Sequence, residues 1–228
     1  MDKKKFFSLG IILFVLIVLF IYLFVVNKEM QKEQLLIDIS RYADCNLVEV
    51  EKEKVNVFGS YRKLENEIYD YILNFQKLYS KVLDYANDKE LVSILAIDNY
   101  LQDGPDFVKS NQYIEKVRSD FDLDMEQLLS FCSEEGLNSY VNSLNLSNSK
   151  KQLFIDVVME AGLLDNFKSY KDIFLESENH MNEVFNSVIS TLAFLKNNQD
   201  KWKIEDGEIQ FSTEDLVNKY NSLVNNLL

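Results

Sequence analysis

The sequence predicts an all-α fold: a helical bundle with one short C-terminal β-hairpin, preceded by an N-terminal transmembrane helix. Three observations predict it. Six Gly and one Pro in 228 residues leave little material for a many-turned β fold. Apolar residues recur at steps of three and four through most of the chain. One stretch breaks that rhythm: "WKIEDGEIQF", residues 202–211, alternates instead around a central Asp-Gly.

Residues 1–5, "MDKKK", read as a cytoplasmic stub, and Phe6 to Val26 carry no charge. At about 1.5 Å per residue that run spans ~30 Å, the thickness of a bilayer core. It ends in Phe24, Val25, Val26 and Asn27, and the first Ala is Ala43. A cleavable signal peptide has a shorter apolar region closed by small residues, so an uncleaved anchor fits better. Cys45 stands too far along to be a lipid-attachment site. Lys3, Lys4 and Lys5 precede the span and Lys28 and Lys32 follow it, which places the N-terminus in the cytoplasm. The expected localisation is therefore single-pass in the cell membrane, bound to the bilayer through residues 6–26. Residues 27–228 form an extracytoplasmic domain.

Helices are expected at 30–57, 61–86, 89–102, 106–135, 150–161 and 167–195. The helix at 61–86 is marked by Tyr61, Leu64, Ile68, Tyr71, Phe75, Leu78, Val82 and Tyr85, a seam of alternating steps of three and four. Ile72, Tyr79 and Ala86 widen that seam, so the helix packs on two neighbours. Phe167, Phe174, Met181, Val188 and Leu195 recur at spacing seven, joined by Phe185 and Leu192. Gly59, Gly104, Gly136, Gly162 and Gly207 act as punctuation. "DGPDF" is a corner with Pro105 starting the next helix, and "NLSNSKK" at 145–151 is a polar loop with a Ser or Asn cap.

In the hairpin, Asp206 and Gly207 take the two turn positions, where Gly tolerates positive φ and Asp-Gly suits a type I′ turn. Trp202 then faces Phe211, Ile204 faces Ile209 and Glu205 faces Glu208. Trp202, Ile204, Ile209 and Phe211 share one face. A two-stranded ribbon is marginal alone in water, so that face must lie on the bundle. "STED" at 212–215 opens a final amphipathic helix, 213–227, carrying Leu216, Tyr220 and Leu223. The hairpin reads as a bracket that reverses the chain; the rival reading makes it a binding tip with Trp202 exposed to a partner.

The tail "FLKNNQDKWKIEDGEIQFSTEDLVNKYNSL" resembles the C-terminal signature of the YiaF-like bacterial envelope lipoproteins, which have a Gly-x-Ile-x-Phe strand and a helix with Tyr-Asn-x-Leu. The matching residues are Gly207, Ile209, Phe211, Tyr220, Asn221 and Leu223. "DGPDFV" at 103–108 and "LLIDI" at 35–39 are similar upstream stretches. The resemblance implies an envelope-anchored helical domain over most of the outer part. A membrane helix stands where that family has a lipid-bearing Cys. The resemblance implies no catalytic residue.

Charge and motifs narrow the chemistry. The formal net charge is −13, and −15 without the first five residues. Such a domain repels phosphate backbones and anionic lipid heads, so nucleic-acid binding is not expected. His180 is the only His and shares a helix face with Glu176 and Glu183. A carboxylate-bridged di-iron site needs a second Glu-x-x-His, so a solvated face is the better reading. "DFDLDME" at 120–126 opens like a calcium loop, but Met125 and Phe131 stand where Gly and Glu belong, and acidic residues around a helix start fit better. No cofactor motif is present. Asp98 falls on the apolar stripe of Leu91, Ile94, Leu95 and Leu101. It is either a buried acid with a raised pKa that contacts a ligand, or a residue at the stripe's edge reaching water.

Cys45 and Cys132 are expected as free thiols. The expected role is non-enzymatic: an envelope structural or protein-interaction module. The alternative is an extracytoplasmic small-molecule or peptide sensor acting through a membrane partner. Asp98, Trp202 and His180 are the candidate ligand or partner contacts. A pocket with convergent polar groups would favour sensing, and a wide apolar patch would favour protein binding.

Overall fold

The computed structural model describes residues 3–43, 57 and 59–225, and the side chains among them except those of 3–15, 43 and 60. Cys45 and residues 44–56 of the expected helix 30–57 lie outside the described residues. The elements are α1 (Lys3–Ala43), α2 (Ser60–Ala86), α3 (Lys89–Ser93), α4 (Ile97–Asp103), α5 (Val108–Phe131), α6 (Glu134–Ser143), α7 (Asn148–Glu160), α8 (Leu163–Ser169), α9 (Lys171–Asn197), a 3-10 turn (Gln199–Lys201), β1 (Trp202–Glu205), β2 (Glu208–Phe211) and α10 (Glu214–Asn225). The helical class and the hairpin expected from the sequence are both present.

The expected membrane segment and the expected helix from residue 30 are one helix, α1. No Gly or Pro lies between Val26 and Met30 to end the first and restart the second. Leu16 to Val26 are exposed apolar side chains. Among the described residues no helix is long and apolar enough to cross a membrane. The described side chains of the segment begin at residue 16, and Lys28, Glu29, Lys32 and Glu33 follow it closely.

The chain forms two compact units. The first comprises residues 1–74 and 137–166. Its core joins Leu35, Ile39 and Tyr42 of α1, Leu64, Ile68, Tyr71 and Ile72 of α2, Leu137 and Val141 of α6, and Phe154, Val157 and Val158 of α7. Tyr71 packs on Tyr140 at 4.8 Å and edge-on to Phe154 at 5.9 Å between ring centroids. This is the three-and-four seam of residues 61–72 put to use: one side of α2 is apolar, and it is the buried side.

The second unit comprises residues 75–136 and 167–228. Phe75 is buried there, stacked on Phe167 at 4.0 Å and edge-on to Phe131 at 5.9 Å. The spacing-seven set Phe167, Phe174, Met181, Val188 and Leu195 is buried throughout, with Phe185 and Leu192. It faces Ile114, Val117, Phe121, Met125 and Leu128 of α5.

Four expected boundaries are corrected. The helix at 167–195 is interrupted: α8 closes with a Tyr170 N–H bond to Phe167 O, and α9 starts at Lys171. The helix at 106–135 ends at Phe131 and α6 follows, because the Ser133 hydroxyl accepts the Gly136 N–H at 3.0 Å and caps a new helix. Gly136 therefore lies inside α6, where a Cβ would run into the Ser130 carbonyl, and is not a turn residue. Pro105 does not start a helix. The Gly104–Pro105 peptide is cis, and α5 begins only at Val108. Asp103 supplies the cap from the preceding helix: its carboxylate accepts the N–H groups of Lys109 and Ser110 and the Ser110 hydroxyl, at 2.7–3.1 Å.

Candidate functional site

Within the first unit, α1, α2 and α7 enclose a groove of about 330 Å³. Its walls carry Lys28, Glu29 and Lys32 from α1, Tyr61 and Leu64 from α2, and Ser149, Lys150, Gln152, Leu153 and Asp156 from α7. The size is at the small end of ligand clefts, which run about 300–1,000 Å³. Lys28 and Lys32 fall one helical turn apart, so both ammonium groups serve the same side of α1. Tyr61 braces the rim by donating its hydroxyl to the Lys28 carbonyl at 3.3 Å. Burial, and secondarily the Glu29 charge, push the Tyr61 pKa up, so it stays a neutral donor.

Gln152 Nε2 donates to Asp156 at 2.9 Å, and Lys32 lies 3.5 Å from Glu160. The first turn of α7 carries no acidic residue, so its positive end adds to Lys150 beside the groove. Three ammonium groups and two carboxylates thus converge on one open volume. None of the lining residues is a His or a Cys. The arrangement is suited to holding a charged or zwitterionic group.

The second unit treats charge differently. Asp124 is buried on α5, where Lys81 Nζ reaches its two oxygens at 2.9 and 2.7 Å and the Tyr85 hydroxyl donates at 2.6 Å. Burial and the Asp124 contact hold the Tyr85 hydroxyl protonated well above its ordinary range. The acidic run at 120–126 therefore lies in the middle of a helix, correcting the expectation of a helix start. Asp124 is closed by its own partners and offers no open coordination position. The sequence did signal its burial, since it sits between Phe121 and Leu128 on the buried stripe.

Trp202 also lies in the second unit, half-buried. The hairpin register pairs Trp202 with Phe211, Ile204 with Ile209 and Glu205 with Glu208, as the sequence predicts. Asp206 and Gly207 both take positive φ, 53° and 79°, as a type I′ turn requires. The Trp202 indole donates to Leu195 O at 2.8 Å and stacks on Phe107 at 6.4 Å. Phe211 rests between Phe194 at 5.8 Å and Tyr220 at 5.2 Å, and the Tyr220 and Tyr100 hydroxyls are 3.1 Å apart. Burial and this contact push the Tyr100 hydroxyl far above its ordinary pKa. The apolar face of the hairpin lies on α4, α9 and α10, as the bracket reading requires.

The other candidates are not assembled into a site. Asp98 is exposed in the first turn of α4. Of its two readings, the one that reaches water is found, because the apolar stripe is broken at Ala96, the cap of α4. The new helix shifts phase, so Tyr100 turns inward while Leu101 turns outward. His180 is exposed on α9, as are Glu176 and Glu183. Among the described residues no group of three His, Cys, Asp or Glu side chains is placed to hold a metal ion. Cys132 is a free thiol, and its burial pushes the pKa up to about 11.

Sequence reasoning missed Lys28, Lys32, Tyr61, Lys150 and Asp156 as a set. Lys28 and Lys32 are visible as a pair one turn apart, but nothing local brings Lys150 to them. No protein-family model, curated protein or solved structure matches the chain.

Proposed function

We propose that this is a membrane-anchored extracytoplasmic helical module, held by residues 6–26 with its N-terminus in the cytoplasm, whose role is non-enzymatic binding of an envelope partner. The observation that carries the reading is the continuity of α1. One helix bears the uncharged run Phe6–Val26, exposes every described large apolar side chain of that run, and then buries Leu35, Ile39 and Tyr42 in a folded core. Exposed side chains this apolar are costly in water and suit a lipid surroundings. The likeness of the tail to an envelope family supports the same location.

A protein partner is the first reading of the role. Val92, Leu101 and Val108 expose 74%, 64% and 53% of their surface along the short stretch from α3 to the start of α5. A crosslinked pull-down from membranes with α1 intact tests it. The same partner should be lost when these three side chains become Ser. A partner retained by that variant would remove this surface from the account. The second reading, a sensor of a small ligand, is favoured by the groove between α1, α2 and α7, where polar groups of both signs converge.

A further inference from the structure

From the groove of the first unit we infer a second binding function: it holds the headgroup of a zwitterionic, amine-bearing phospholipid, with the phosphate among Lys28, Lys32 and Lys150 and the ammonium by Glu29 and Asp156. This rests on the anchored reading of α1. If the hydrocarbon core ends at Val26, then Lys28, Glu29 and Lys32 lie about 3, 4.5 and 9 Å beyond it along the helix axis. The headgroup layer of a bilayer is about 5–8 Å deep on each side. Lys28 and Glu29 of the α1 wall are therefore level with the headgroup layer, and Lys32 stands at its outer edge, within reach through its long side chain.

The lining chooses among headgroups. Three Lys against two carboxylates leave the groove near neutral, with both signs present. The whole chain carries −13, which disfavours an anionic lipid surface. A headgroup with both a phosphate and an ammonium satisfies both conditions. Lys28 and Lys32 alone would be ordinary flanking cations of a membrane helix, anchored by their stems. Lys150 and Asp156 are not explained that way. They come from α7, more than a hundred residues along the chain, and face the same volume.

The test uses the full chain in detergent, with native mass spectrometry reading retention of added phosphatidylethanolamine, phosphatidylglycerol, diacylglycerol and inorganic phosphate. Wild type should retain phosphatidylethanolamine best and diacylglycerol least. Lys150→Gln should weaken that retention about fivefold, the effect of one cation beside a lipid surface. Asp156→Asn should weaken phosphatidylethanolamine but not phosphatidylglycerol. Lys89→Gln, an exposed lysine of the other unit, should change nothing. Retention of phosphatidylethanolamine by Lys150→Gln or Asp156→Asn at the wild-type level overturns the proposal. So does an equal loss in Lys89→Gln, which would be general electrostatics, or equal competition by inorganic phosphate, which would make the groove a site for free phosphate. Carbonate extraction of the same membranes separates loss of the anchor from loss of the groove. A chain released by carbonate loses the anchor and the headgroup site together, whereas a chain that stays anchored without lipid preference loses only the groove.

Discussion

The hairpin of the second unit and the groove of the first are both places where distant parts of the chain converge, yet they end differently. At the hairpin the converging side chains are Trp202, Phe211, Phe107, Phe194, Tyr100 and Tyr220, and they fill the space with rings and two hydroxyls that satisfy each other. At the groove they are Lys28, Lys32, Lys150, Glu29 and Asp156, and about 330 Å³ stays open. Aromatic rings gain by excluding water from one another. Ammonium and carboxylate groups lose by being dried, so they hold the walls apart. The difference teaches that the most conspicuous stretch of the sequence is scaffolding, while the open volume is built by residues that look ordinary one at a time.

That contrast can be broken first at Trp202. Trp202→Ala should cost about 3 kcal/mol, the low end for an aromatic in a core because Trp202 is only half-buried. Denaturant melts of the full chain in detergent read it. A wild-type melt with a lost partner would return the hairpin to the role of a binding tip. Gly207→Val comes next. Space around Gly207 is open, so the cost is the φ of 79° alone, about 1–2 kcal/mol for an L side chain in the left-handed region.

A smaller effect belongs to the helix caps of the second unit. The Asp88 carboxylate accepts the N–H groups of Glu90 and Leu91 and the Tyr113 hydroxyl, at 2.6–3.2 Å. Asp88→Ala should lose about 1 kcal/mol. Burial works to raise the pKa values of Asp88 and Asp103, but the hydrogen bonds they accept outweigh it and both are lowered from the ordinary 3.8. Their stabilisation is therefore complete above about 3.8 and is lost as pH falls through the lowered folded values. Asp88→Asn should flatten part of that acid limb, and an unchanged pH profile would contradict it. The smallest effects are expected on outward faces. Lys203→Ala and Gln210→Ala should shift stability by less than about 0.5 kcal/mol, although Lys203 pairs with Glu205 at 2.6 Å, because exposed pairs are worth little. Lys150→Gln should change stability by less than about 1 kcal/mol while weakening lipid retention.

How far the sequence could be read follows the same line. Period and register were legible because they are local. The seam of Leu64, Ile68, Tyr71 and Phe75 is buried, and Trp202 pairs with Phe211. Helix ends were legible at Gly59, Gly104 and Gly162 and at the STED start of α10, but Gly136 lies inside α6 and Pro105 precedes α5 without starting it. The break before α6 is written as Ser133 followed by Glu134 and Glu135, a cap with an acidic first turn, and it is easy to overlook inside a run of apolar spacing. The break at Ala96 has no side-chain cap at all, so the sequence left Asp98 with two readings, of which the one that reaches water is found. The groove was illegible because its charges come from two helices far apart in the chain, α1 and α7, and no local pattern joins Lys28 to Lys150.

The proposed anchoring through α1 is tested most directly by topology. A C-terminal tag on the full chain, exposed to protease on intact wall-stripped cells, should be digested while cytoplasmic markers survive. The protein should stay in the carbonate-resistant membrane fraction with its N-terminus still at Met1. A protected tag, or a mature N-terminus beginning after Val26, would contradict the account.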